Sequence, residues 1–190
     1  MVIGITGSIA SGKSLVTNYL ITRGYRVIDC DKISHDVLLI EEVKEKLVNE
    51  FNDLIIKDSE IDRKQLGKII FNSDIKKQQL QNIVFPYILK EIKHQLSLDT
   101  SVVFLDAPLL FEYNIEYLVD KIIVVKCNRD IQIARLMQRD NISKEYALKK
   151  INSQLPIEEK EKYADYIINN SYDIDNTENQ INIILKELEN

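Results

Sequence analysis

The segment Gly7-Ser8-Ile9-Ala10-Ser11-Gly12-Lys13-Ser14 constrains this chain more than any other. It fits the pattern G-x-x-x-x-G-K-S/T, in which a loop closes around phosphate groups. Gly7 and Gly12 reach backbone angles closed to other residues, so successive N–H groups can turn inward toward one anion. Lys13 adds a point charge for the outer phosphates. Ser14 offers a hydroxyl to magnesium, which prefers oxygen ligands. The flanking sequence has the order this motif requires. Residues 1–6 form an apolar run of the kind found in a buried parallel strand. Leu15, Val16, Tyr19 and Leu20 then recur at helical spacing, and Gly24 offers a stop. The competing reading is a glycine- and serine-rich turn with no ligand.

A chain of 190 residues makes one domain, or one domain with insertions, and buries a core without disulfides or structural metal. Its net charge of −5 argues against general nucleic-acid binding, which calls for a basic stripe. Any phosphate must therefore be met by local positive charge. Cys30 and Cys127 show no metal-ligand spacing and are expected as buried thiols in a reducing compartment. No apolar run approaches the length of a bilayer span, and no signal peptide precedes the first strand, so a cytoplasmic protein is expected.

Five strands are expected, over residues 2–6, 25–29, 101–106, 121–127 and 166–169. Helical patterns lie between most of them, which predicts an α/β fold with a five-stranded parallel sheet flanked by helices. Two intervals are too long for plain crossovers. Residues 32–98 read as a helical insertion. Asp62 is a helix cap with Gln65 three residues on, residues 72–74 cap another helix before Ile75, and Pro86 limits helix continuity near Phe85. Residues 129–164 are charged and helical. The final helix places Ile181, Ile184, Leu185 and Leu188 on one face. The core is thus residues 1–31, 99–128 and 165–190. This layout suggests a small kinase whose insertion holds the phosphate acceptor and whose 129–164 segment closes as a lid over the donor.

Asp29-Cys30-Asp31 ends the second expected strand, at the carboxyl edge where open α/β sheets bind ligands. Residues two apart on a strand point the same way, so both carboxylates can face one cleft and one can accept a proton from an attacking hydroxyl. Solvated or helix-capping acids are the alternative. Residues 101–106 form an apolar strand ending in Asp106, a Walker B pattern that helps to hold magnesium. Arg135 and Arg139 share a helix face that can clamp a transferring phosphoryl group; the alternative is a surface ion pair such as Arg139 with Asp140. His94 is expected at the surface. His35 follows the acidic pair and either touches substrate or serves a surface role. Tyr19 and Tyr117 are expected at the core or its edge.

These segments together resemble the dephospho-coenzyme A kinase family, over nearly the whole chain. The resemblance is carried by the opening Ile3 to Ser14, by Asp29-Cys30-Asp31-Lys32-Ile33-Ser34-His35, and by Ile61-Asp62-Arg63-Lys64-Gln65-Leu66-Gly67. It continues through Ala107-Pro108-Leu109-Leu110-Phe111-Glu112, Arg135 to Asp140, Gln154, Pro156, Ala164-Asp165 and Asn170. It implies a P-loop fold and transfer of the ATP γ-phosphoryl group to the ribose 3′-hydroxyl of dephospho-coenzyme A, with ATP and Mg2+. By position, Asp31 is the implied base. Gly7, Ala10, Ser11, Gly12, Lys13, Ser14 and Leu15 bind the nucleotide, and Ser14 and Asp106 serve the metal. Arg135 and Arg139 belong to the closing segment, and Asp31, His35 and Arg63 to the acceptor side. A small-molecule substrate, no nucleic acid, no membrane, and a monomer or weak homo-oligomer are expected. The chain departs from the family pattern at Leu15, which replaces a Thr, and at Phe85, which replaces a His before Pro86.

A P-loop kinase for another small hydroxyl or nucleotide acceptor uses the same loop, acids and arginines. A GTP-dependent switch protein is the remote alternative. It calls for Asp-x-x-Gly and Asn-Lys-x-Asp, and neither occurs: Gly4, Ile9, Ile21 and Lys64 stand three residues before the last four glycines.

Overall fold

Strand β1 (Val2–Gly7) holds five consecutive buried residues, the pattern of a strand covered on both faces. It lies at the centre of a parallel sheet of order β2-β5-β1-β6-β7. The partners are β2 (Arg26–Asp29), β5 (Val103–Asp106), β6 (Lys121–Lys126) and β7 (Tyr166–Asn169). The expected strands all form, with ends shifted by one or two residues. The computed structural model describes residues 1–71, 73–98 and 101–188. Cys30–Leu98 form one compact unit and the flanking chain forms the other.

In the sheet-bearing unit, alternate strand residues share a face. Ile3 and Ile5 of β1, Ile123 and Val125 of β6, and Ile168 of β7 form one cluster with two helices. Helix α1 (Lys13–Thr22) contributes Val16 and Leu20, and its neighbour Gly24 has φ +85°, the left-handed stop that glycine supplies after a helix. The last helix of the chain, Ile174–Leu188, contributes Ile181, Ile184 and Leu185. Tyr19 packs against this cluster while its hydroxyl donates to Asn182 Oδ1 at 3.0 Å. Tyr117 departs from expectation: it is 62% exposed, on a single 3₁₀ turn over Glu116–Leu118.

The other unit is helical. It contains α2 (Cys30–Val37), α3 (Glu41–Phe51), a two-stranded hairpin of β3 (Ile56–Lys57) and β4 (Glu60–Ile61), α4 (Arg63–Phe71) and α5 (Asp74–Ser97). Asp62 caps α4, its Oδ1 accepting from the amides of Lys64 and Gln65 at 3.0 Å each. Ser73 caps α5, its Oγ accepting from Lys76 N at 3.3 Å; Asn72, also expected near this cap, lies outside the described residues. Pro86 does not interrupt α5, which runs 24 residues through it. The ring removes one backbone donor, but Val84, Ile88 and Ile92 are buried around and beyond it, and that burial outweighs the local penalty. The hairpin turn at Asp58 and Ser59 has positive φ at both positions without a glycine, so the usual sequence signal is missing.

Three further helices complete the sheet-bearing unit: α6 (Arg129–Asp140), α7 (Lys144–Asn152) and α8 (Ile157–Glu161). The last helix is therefore α9. Ile133, Leu136, Ala147 and Ile151 make a second buried cluster, against which Ile9 and Ala10 of the glycine loop pack. The buried and exposed faces of α9 are separable by mutation. Ile181→Ala, at a residue 2% exposed, should cost about 2–5 kcal/mol in a urea titration. Ile183→Ala, at a residue 58% exposed, should cost about 0.5 kcal/mol or less. Equal losses would mean that α9 does not cover the sheet by this face.

Candidate active site

The loop between β1 and α1 occupies the carboxyl edge of the sheet, beside the point where the chain order reverses around β1. This is the crevice where open α/β sheets take ligands. Its two defining glycines are required by space. A Cβ at Gly7 would lie 2.5 Å from the Val125 carbonyl oxygen and 2.8 Å from Ser11 Oγ. A Cβ at Gly12 would overlap Asn170 Nδ2, and Gly12 also has φ +92°. Ala10 takes a left-handed φ of +60°, which turns the chain once more.

The backbone polar groups of this loop fall into two sets. The first set is claimed by the protein. Gln132 Nε2 donates to Ser8 Oγ and to the Ile9 carbonyl, both at 2.7 Å. Gln154 Oε1 accepts from Ile9 N at 2.7 Å. Ser11 N donates to Ser8 O at 3.1 Å, and the Ser11 carbonyl accepts from Asn170 Nδ2 at 2.9 Å. The second set comprises the amides of Ala10, Gly12, Lys13 and Ser14, which have no protein acceptor among the described residues. Ser11 Oγ is buried and also lacks a partner. A group of donors at a helix N-terminus, with one orphaned hydroxyl inside it, fits an anion with several oxygens.

Lys13 Nζ forms an ion pair with Asp106 Oδ1, and both side chains are largely buried. Asp106 ends β5, in register with Ile5 on one side and Asp29 on the other. Asp29 and Asp106 thus stand on adjacent strands at the sheet edge. Arg135 approaches the loop: its Nη1 donates to the Asn170 carbonyl at 3.1 Å and lies 3.4 Å from the position of a Cβ on Gly12. Arg139 does not. It is exposed and pairs with Asp140, Nε to Oδ1 at 2.8 Å, while Lys150 Nζ reaches Asp140 Oδ2 at 2.6 Å. Hydrogen bonds from Arg139 and then Lys150 hold the Asp140 carboxyl at about 2.

The acidic pair differs from the strand-based expectation. β2 ends at Asp29 and α2 starts at Cys30, so Asp31 is exposed in a first helical turn and strand alternation does not relate it to Asp29. His35 and Arg63 are exposed, in the last turn of α2 and at the start of α4, within the helical unit. Phe85 is half-buried in α5, Leu15 is half-buried in the first turn of α1, and Ser14 is exposed beside it. The thiols of Cys30 and Cys127 are half-buried rather than buried. Burial pushes the Cys127 thiol up, against the pull of Arg135. No cluster of three or more His, Cys, Asp or Glu residues able to hold a metal occurs among the described residues. Ser14 and Asp106 remain as oxygen donors, the sparse protein set suited to magnesium that keeps water and phosphate ligands.

Gln132 and Lys160 escaped sequence reasoning. Lys160 lies in the charged run Ile157-Glu158-Glu159-Lys160-Glu161-Lys162 and reads as a solvated residue, yet it is fully buried. A cleft of about 540 Å3 borders Ser8, Gln132 and Gln154, on the claimed side of the loop.

The fold and the phosphate loop are those of a P-loop kinase. A family model described as dephospho-CoA kinase matches residues 1–176, and the chain belongs to that family. A protein named dephospho-CoA kinase from Carboxydothermus hydrogenoformans is 41% identical over 192 residues, covering 98% of this chain and 93% of its own length. The solved dephospho-CoA kinase from Campylobacter jejuni superposes with a TM-score of 0.74 at 34% identity, covering 98% of this chain and 96% of its own. A solved Thermus thermophilus protein superposes with a TM-score of 0.87 at 31% identity, covering 99% and 97%.

The Arg139–Asp140 pair can be tested directly. By carboxyl NMR, Asp140 should titrate near 2, and Arg139→Ala should move it toward the ordinary value of about 4. Its folded value lies below its unfolded one, so the stabilisation it brings is present above about pH 4 and is lost as pH falls through 2. An unchanged midpoint in the variant would show that Arg139 is not held by Asp140.

Proposed function

We propose that this chain transfers the γ-phosphoryl group of ATP to the 3′-hydroxyl of the ribose of dephospho-coenzyme A, giving coenzyme A and ADP. The observation that carries the donor half is the set of unclaimed amides at Ala10, Gly12, Lys13 and Ser14 around the orphaned Ser11 hydroxyl. Membership of the family supports the acceptor.

In this reading the loop amides and Lys13 bind the donor phosphates and offset charge on the transferring group. The Asp31 carboxylate takes the proton of the ribose hydroxyl as the O3′–Pγ bond forms and the bond from Pγ to the β-phosphate oxygen breaks. Arg135, already beside the loop, holds phosphate oxygens. Arg139 joins it after leaving Asp140. His35 and Arg63 bind the acceptor, and Leu15, whose amide donates to the Gly12 carbonyl at 2.9 Å, lines the nucleotide site at the first turn of α1. Ser14 and Asp106 would hold Mg2+, directly or through water, and the bound ion would offset charge on the donor phosphates. Segment 129–164 serves as the lid over the donor, already packed on the loop and completed when Arg139 changes partner. The same reading has the protein work in the cytoplasm on a small molecule, without nucleic acid, as a monomer or weak homo-oligomer. No described helix is long and apolar enough to cross a membrane.

Magnesium-dependent ADP release, followed with and without dephospho-coenzyme A, should rise sharply with that acceptor. A stronger response to shikimate or to a nucleoside monophosphate would overturn the acceptor assignment. Asp31→Asn should lower kcat about 10²–10⁴-fold, the usual contribution of a general base, with the KM for ATP within about twofold. Near-normal turnover across pH would remove Asp31 from that role.

A further inference from the structure

Lys160 is a charged side chain with no exposure at all. Such a group is costly to bury unless it is paired and fully hydrogen-bonded, so its partners are informative. Its Nζ lies 2.9 Å from Glu112 Oε1 and donates to the Pro108 carbonyl at 2.9 Å and to the Gly7 carbonyl at 3.4 Å. Gly7 is the first residue of the phosphate loop. Burial lowers the ammonium's proton affinity, and the hydrogen bond it donates to Glu112 works against that shift.

Glu112 does a second task. Its Oε1 accepts from Leu155 N at 3.1 Å, fixing the link between α7 and α8. The residue before Leu155 is Gln154, whose Oε1 receives the Ile9 amide. Two alternate residues of the loop, Gly7 and Ile9, are therefore held by side chains that both trace back to one carboxylate. Neither Lys160 nor Glu112 belongs to the unclaimed donor set.

We infer that Lys160 and Gln154, anchored by Glu112, are positioning residues that set the first half of the phosphate loop and thereby aim the amides of its second half. The Gly7 carbonyl, held by an ammonium, cannot rotate into the anion space. The two peptide groups that flank Ile9 are each held, the first through the Ile9 N–H by Gln154 and the second through the Ile9 C=O by Gln132, so neither can flip. The Ala10 N–H shares the rigid plane of the held Ile9 carbonyl, so it starts the second half of the loop in a fixed direction, and the Gly12 N–H shares that of the Ser11 carbonyl held by Asn170.

This inference rests on the loop's taking the nucleotide, so the test begins with the unaltered protein. Steady-state kinetics are measured with ATP and dephospho-coenzyme A varied separately, alongside thermal melts, for the parent, Lys160→Met and Gln154→Ala. In Lys160→Met the KM for ATP should rise about tenfold and kcat should fall, with the KM for dephospho-coenzyme A within about twofold. Gln154→Ala, at a half-buried residue, should raise the KM for ATP about threefold with a melt close to that of the parent. A lower melting temperature with unchanged ATP KM and kcat in Lys160→Met would make Lys160 a merely structural residue and overturn the inference. Should Lys160→Met fail to melt cooperatively, Gln154→Ala decides alone, and an unchanged KM for ATP overturns it. A parent that does not bind ATP sinks the proposed function and this inference together, whereas an active parent with unaffected variants sinks only the inference.

Discussion

Amides aimed into one space repel one another, because each N–H presents the same end of its dipole. The loop between β1 and α1 leaves four neighbouring ones without a protein acceptor among the described residues. This arrangement depends on the Asn170 side chain. Its Nδ2 donates to the Ser11 carbonyl, and its Oδ1 accepts from Thr177 Oγ1 at 3.0 Å. Thr177 is a buried residue of α9, whose apolar face is embedded in the sheet cluster. A hydrogen-bond path two links long thus joins the glycine loop to the helix that covers the sheet cluster. The absence of a side chain at Gly12 is the other half of the same fit, since Asn170 fills that place.

The segment 129–164 is more closely tied to the loop than a lid hinged at its ends. Its helices bury Ile133, Leu136, Ala147 and Ile151 against Ile9 and Ala10, and Gln132 is only 5% exposed. Arg135 and Arg139 sit on the same helix yet have different surroundings. One turn of helix separates a guanidinium at the loop from one held at the surface by a neighbouring carboxylate. If Arg139 serves the donor site as proposed, a change of partner by one side chain, rather than a swing of the whole segment, is the smaller motion that would bring it there.

Much of this was legible in the sequence because it depends on local pattern. Strand–loop–helix order, the alternation of strands with helices, the caps at Asp62 and Ser73 and the buried face of α9 all follow from neighbours in the chain. The legible part of the candidate site was the loop and the strand-end position of Asp106, whereas the ion pair between Lys13 and Asp106 was not, since the sequence assigned them to phosphate and to magnesium. What escaped depends on distant partners. Lys160 lies among charges and finds its counter-ion 48 residues away. Gln132 looks like any polar helix residue until Ser8 and Ile9 are beside it. Pro86 reads as a breaker, but tertiary burial carries α5 past it. Asp31 was placed on a strand because the helix that follows β2 begins without a linker.

The contact between Lys13 and Asp106 has a bearing on selectivity. An ammonium already matched by a carboxylate is not a vacant receptor for whatever anion is at hand. An incoming ion must outbid an internal rival that is tethered in place and never diffuses away. Chloride, or a single acetate, brings one charge and few contacts and loses that contest. A polyphosphate brings several charges and meets the amides at the same time, so it prevails. In the proposed reading the rival carboxylate would act as a threshold, leaving the pocket indifferent to the small ions that surround it in far greater number.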